Sequence, residues 1–217
     1  MMRRENLRPA FTLLEMVFVI VVVGILAALA IPRMERDIRQ EAADNILSAI
    51  RYTQHLALTD DKTDPFDPNW QQTLWMIKFT GGSNAYYTVS ADTNKNGIVE
   101  KKECAVDPAN GKYMYHLSPN PTQADESPNV VVGHKYGINQ ITTSGACTAK
   151  HIAFDHFGRP FNGLKTTPGG TTAGDDYADY MNGDCNLTFT FTGGEQNLII
   201  TIEAETGYAY IVGQPDS

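Results

Sequence analysis

Residues 11–31 read FTLLEMVFVIVVVGILAALAI, an apolar run broken by a single charge, Glu15. A helix of about 20 residues rises roughly 30 Å, the thickness of a bilayer's hydrocarbon core. Arg3, Arg4 and Arg8 precede the run. The bias of basic residues toward the cytoplasm then predicts that everything after Pro32 lies on the far side of the membrane. Apolarity alone leaves three readings: a cleaved secretory signal with Ala28-Leu29-Ala30 as its small-residue site, a plain single-span anchor, and a helix that assembles with others. Glu15 separates them. A carboxylate deep in lipid costs on the order of a few kcal/mol and marks function. Neither a signal nor an anchor has a use for one.

The run Ala10-Phe11-Thr12-Leu13-Leu14-Glu15 resembles the processing site of the type IV pilins and pseudopilins. The resemblance implies that prepilin peptidase cuts between Ala10 and Phe11, removes residues 1–10 as a leader, and methylates the new amine. It also implies assembly roles for Glu15 and for Pro32, which falls where the family has its helix-kinking proline. Ala10 stands where the family usually has glycine. The implied partners are other pilin or pseudopilin subunits, the peptidase and an inner-membrane assembly platform. The implied location is the bacterial inner membrane, single-pass with the head in the periplasm, and after assembly a periplasmic pseudopilus or an extracellular pilus. The chemistry agrees with this. Cleavage would place an ammonium at Phe11, and in a fibre that ammonium would meet Glu15 of a neighbouring subunit and set the axial register.

Residues 32–58 continue the helix in amphipathic form. Ile38, Ala42, Ile46, Ile50 and Ala57 recur at helical spacing with Leu47 and Leu56 beside them, while Arg36, Arg39, Gln40 and Asp44 fill much of the opposite face. The stripe predicts packing against a head, residues 59–217. Thr59 to Pro65 is a polar exit loop. Short apolar stretches then alternate with turns. Strands are expected at 74–79 and 86–89, joined across Gly81-Gly82-Ser83-Asn84, and at 130–132, 138–142, 151–154, 187–191, 198–202 and 208–212. Thr188-Phe189-Thr190-Phe191-Thr192 alternates strictly, as a half-buried strand does. The expected class is α+β: a long N-terminal helix packed on an antiparallel β-sheet or sandwich. The segment from His151 to Gly158, and a last hairpin tipped by Thr206-Gly207, are similar to the H-type minor pseudopilins of type II secretion.

Residues 92–103, DTNKNGIVEKKE, fit a twelve-residue calcium loop. Asp92, Asn94 and Asn96 take the first, third and fifth positions, and Gly97 the sixth, where the chain turns sharply. Ile98 would offer its carbonyl, Glu100 a water-mediated contact and Glu103 both carboxylate oxygens. Hard oxygen donors suit calcium rather than zinc. Two asparagines lower the charge of the set and predict weak affinity, about 0.1–1 mM. Val99 would anchor the loop. The competing reading is an Asx-rich surface turn.

The cysteines are Cys104, Cys147 and Cys185. Three pairings are possible. Cys147 with Cys185 is expected, because both flank the C-terminal sheet and their bridge would staple the loose stretch 166–174, leaving Cys104 spare. His151 and His156 are five apart and are expected at the solvent or core edge rather than on a metal. No phosphate-binding loop, nucleophile elbow, HExxH or CxxC occurs, so an enzyme is not expected. A formal charge of -8 disfavours nucleic acid. The alternative to a structural subunit is a pilin-like receptor for DNA or a surface ligand. The absence of Lys and Arg after Lys165 weighs against DNA.

Overall fold

The structure is a computed structural model that describes residues 12–67, 69–162, 180–194 and 196–214, with backbone alone at 28–37. Ala10, Phe11, the Pro32 side chain and the stretch 166–174 therefore lie outside the described residues. The chain divides into two compact units, Met1–Gln40 and Glu41–Ser217.

One helix, α1, runs without interruption over Leu13–Thr59. In the first unit its side chains from Thr12 to Ala27 are all exposed, and these are apolar or small apart from Thr12 and Glu15. Among the described residues no helix is long and apolar enough to cross a membrane. The described apolar side chains stop at Ala27 and resume at Ile38.

In the second unit α1 buries Ala42, Ala43, Ile46, Leu47, Ala49, Ile50, Thr53 and Ala57. This is the predicted stripe with one correction: Ile38 is exposed, so the buried face begins at Ala42. Thr53 occupies a core position because its hydroxyl donates back to the Ala49 carbonyl at 2.8 Å. A buried hydroxyl satisfied in this way costs little.

The head carries two antiparallel four-stranded sheets. The strands are β1 (Trp75–Thr80), β2 (Tyr86–Ser90), β3 (Ile138–Gly145), β4 (His151–Phe154), β5 (Pro160–Asn162), β6 (Cys185–Phe191), β7 (Leu198–Ile202) and β8 (Ala209–Ile211). The first sheet has the order β2-β1-β4-β5 and the second β3-β6-β7-β8. In β6 the residues Cys185, Leu187, Phe189 and Phe191 are buried and those between them are not, as the Thr-Phe alternation predicts. Phe79 of the first sheet meets Phe189 of the second edge-on at 5.5 Å. The first sheet is covered on both faces. Ile77, Ile152 and Phe154 join the main core with α1, whereas Met76 and Ala153 join a second cluster with Trp70, Leu74 and Phe161.

The stretch 130–132 is not a strand. Pro128–Val130 is a 3-10 turn whose Asn129 amide donates to the Ser127 hydroxyl, and it leads into the short helix α2, Val132–Tyr136. The β-branched run is buried here as a turn because proline and the serine cap fix its entry, and Gly137 ends it at φ +76°. β5 was not expected from the sequence. It is three residues long and begins on proline, at a sheet edge where a missing N–H is tolerated.

Candidate functional site

Two features of the sequence carry a functional reading: the loop 92–103 and helix α1. In the loop, Asp92 lies two residues after the end of β2 and is only 3% exposed, while Glu103 closes a 3-10 turn and is 6% exposed. The loop folds around these carboxylates. Asp92 accepts the amides of Asn96 at 3.2 Å and Gly97 at 2.7 Å. Glu103 accepts the Thr93 hydroxyl at 3.0 Å and the Asn94 amide at 3.1 Å through one oxygen, and the Glu100 amide at 3.4 Å through the other. Gly97 takes φ +75°, the sharp turn its position demands. Asn94 and Asn96 each turn their side-chain oxygen onto the amide two residues on, at 2.9 and 2.7 Å. Asn94 also reaches Glu100 at 3.3 Å. Ile98 is exposed, and Val99 packs against the second core cluster.

The cations nearby are committed elsewhere. Lys95 pairs with Asp67, Lys102 with Glu100, and Lys101 with Asp125 and Glu126, each of the latter two at 3.0 Å. The hydrogen bond to Asp125, aided by Glu126, holds the Lys101 ammonium above its ordinary value against the pull of burial. Among the described residues no lysine, arginine or histidine pairs with Asp92 or Glu103. Buried carboxylates ordinarily have a charged partner or a metal. Among the described residues no group of three or more His, Cys, Asp or Glu side chains is gathered as a metal site would be. The loop's donor set is instead mixed: carboxylates, amide oxygens and a carbonyl. Such a set fits a hard divalent cation and does not fit zinc.

Cys147 and Cys185 form the disulfide, and Cys104 is free and buried. Burial, with Glu103 next to it, pushes the Cys104 thiol up to about 12, so it stays protonated and inert. His156 lies in the turn after β4, with Nδ1 3.1 Å from the Thr63 hydroxyl and 3.2 Å from Asp61. Both contacts fall on one ring nitrogen, so the three side chains form no relay.

Two C-terminal segments singled out in the sequence meet on α1. The Gln54 amide donates to the carbonyls of Gly158 and Thr206, each at 2.9 Å. A Cβ on Gly207, at φ +65°, would fall 2.2 Å from the Gly158 oxygen. The turn after β4 is held by Asp155, which accepts two backbone amides and pairs with Arg159 at 2.6 Å. Sequence reasoning missed Gln54, whose polar side chain on a half-buried helix face carries no motif. Glu15 is exposed near the start of α1, and its backbone amide donates to the Thr12 hydroxyl oxygen at 3.3 Å as a local cap.

Comparisons of the chain with protein-family models, with curated proteins and with solved structures found no match.

Proposed function

We propose that the chain is a structural subunit of a type II secretion pseudopilus or a type IV pilus, processed by prepilin peptidase and assembled through its N-terminal helix. The observation that carries this reading is α1 itself. One unbroken helix presents an exposed apolar surface with a single carboxylate in its first part, and buries Ala42 to Ala57 in the head in its last. Apolar surface of that extent requires lipid or other helices to cover it. A helix that is apolar all round belongs in a membrane or in a bundle. A fibre built from such helices uses both in turn.

Glu15 then acts as the register residue, facing the freed Phe11 amine of a neighbouring subunit. Glu15→Leu keeps the segment apolar and leaves membrane insertion intact. The expected result is a chain that fractionates with the membrane and is absent from sheared fibres. Normal incorporation of the variant would overturn the role given to Glu15.

The loop 92–103 takes calcium as a structural ion. Support comes from two buried carboxylates without a cationic partner among the described residues, at the first and last positions of the loop. Asp92, Asn94, Asn96, Glu100, Glu103 and the Ile98 carbonyl would hold it.

A further inference from the structure

In β1 and β2 the residues Ile77, Phe79, Tyr87 and Val89 belong to the main core. Strand alternation therefore sends Lys78, Thr80, Tyr86 and Thr88 to the other face of the sheet. Lys78 lies directly opposite Thr88, and Thr80 opposite Tyr86. These two cross-strand pairs form the floor of a cleft of about 260 Å³, walled by Gly97 to Val99 and by Tyr115 to Leu117. Its lining includes no aspartate or glutamate, although the whole chain has 25 acidic residues against 17 lysines and arginines. The cleft along α1 shows the contrast, being lined by Glu41, Asp44 and Asp107.

Lys78 is exposed and has no hydrogen-bond or ion-pair partner among the described residues. Its cross-strand neighbours are Thr88 and His151, neither of them a carboxylate. Thr88 is only 5% exposed, yet its hydroxyl has no hydrogen-bond partner among the described residues, and the residue lines the cleft. An unpaired hydroxyl at such a depth is costly unless a ligand answers it. Burial pushes the Tyr115 phenol up, so it stays protonated and able to donate. His116 stands in the wall, edge-on to Tyr86 at 5.0 Å, with Nδ1 3.6 Å from Glu126. It serves Glu126 and is not counted as a cation for the cleft. Glu126 is itself paired with Lys101 at 3.0 Å.

We propose that this cleft binds a phosphate group, free or as the monoester of a small molecule, with its charge on Lys78 and its oxygens on the threonine and tyrosine hydroxyls. A lysine ammonium can only donate, so its partner must accept. An oxyanion answers it with charge, whereas a sugar or a peptide backbone offers only a neutral dipole. The hydroxyls line the floor and one wall, so they do not share a plane. A tetrahedral group has oxygens enough to meet both surfaces, and a planar carboxylate has two. The volume lies below that of drug-sized sites, which limits the ligand to a small one. The inference is independent of the fibre and calcium readings, because the cleft lies within one head and is tested without calcium.

The experiment is calorimetric titration of the full chain, in neutral detergent and calcium-free buffer at constant ionic strength, with inorganic phosphate and with glycerol 3-phosphate. Acetate and glycerol are the parallel probes. Phosphate or its monoester is expected to bind, and the tighter of the two identifies the source of the group. Acetate should bind about tenfold more weakly, and glycerol not measurably. Lys78→Met should weaken phosphate about tenfold at an unchanged melting midpoint, since the side chain is exposed and unpaired. Thr88→Val keeps the shape and removes the unanswered hydroxyl. It should weaken phosphate about fivefold while leaving the phosphate-free melting midpoint equal or higher, which loss of a structural hydrogen bond would not do. Lys112→Met, outside the cleft, should change nothing. No binding of either phosphate compound, acetate or glycerol bound as tightly, full affinity in Lys78→Met or Thr88→Val, or an equal loss in Lys112→Met would each overturn the proposal.

Discussion

Calcium should stabilise the chain through the loop 92–103 by an amount its affinity sets. Asp92 and Glu103 are buried with only hydrogen-bond donors around them. In chelator the protein bears the desolvation of both charges, and bound calcium would offset it. With a dissociation constant of about 0.1–1 mM, about 10 mM calcium stabilises by roughly 1.4–2.7 kcal/mol. For a domain of this size that raises the melting midpoint by about 3–10 °C. Tryptophan fluorescence is a suitable reporter, because the chain has 2 tryptophans and Trp70 shares its cluster with Val99 of the loop. Glu103→Gln keeps the side chain's size and one acceptor oxygen while removing a charge and the bidentate contact. The wild-type chain should show the calcium shift, magnesium at the same concentration should show little of it, and Glu103→Gln should show none. Equal midpoints of the wild type in calcium and chelator would refute the argument, and so would an undiminished shift in Glu103→Gln.

Gly207→Ala should cost at least about 2 kcal/mol, from the left-handed backbone and from a Cβ placed 2.2 Å from the Gly158 oxygen; urea melts of the two chains measure it. Asp107 gives a pH prediction. Burial works against its ionisation, but the Ser127 hydroxyl, the Ala109 amide, Asn129 and Asn110 outweigh this and hold its carboxyl below the usual range. A depressed carboxyl stabilises above its unfolded value of about 3.9 and loses that contribution as pH falls through its folded value. Asp107→Asn should therefore destabilise at neutral pH and converge on the wild type in acid, and a constant difference across that window would contradict the assignment.

Much of the fold was legible because its signals are local. The helix period from Ala42 to Ala57, the Thr-Phe alternation of β6, and the glycine-rich turn between β1 and β2 each fix an element within a few residues. The Cys147–Cys185 bridge was expected from where the two residues flank the C-terminal sheet. What escaped depends on partners distant in sequence. The segment 130–132 looks extended by its β-branched residues, yet proline and the Ser127 cap turn it into a helix entry. Ile38 fits the helical stripe but is exposed, since periodicity marks a face and says nothing of where its cover ends. Gln54 joins two turns more than 100 residues downstream, a role that no spacing within α1 could reveal. The loop 92–103 was legible as a pattern of oxygen donors. The commitment of Lys95, Lys101 and Lys102 to carboxylates other than Asp92 and Glu103 became visible only in three dimensions.

The most direct test of the fibre account is intact-mass and N-terminal peptide mass spectrometry of the chain recovered from the bacterial envelope. The account predicts a mature chain that begins at Phe11 and carries a methyl group on its amine. A chain beginning at Ile31, or one that retains residues 1–10 within assembled fibres, would contradict it.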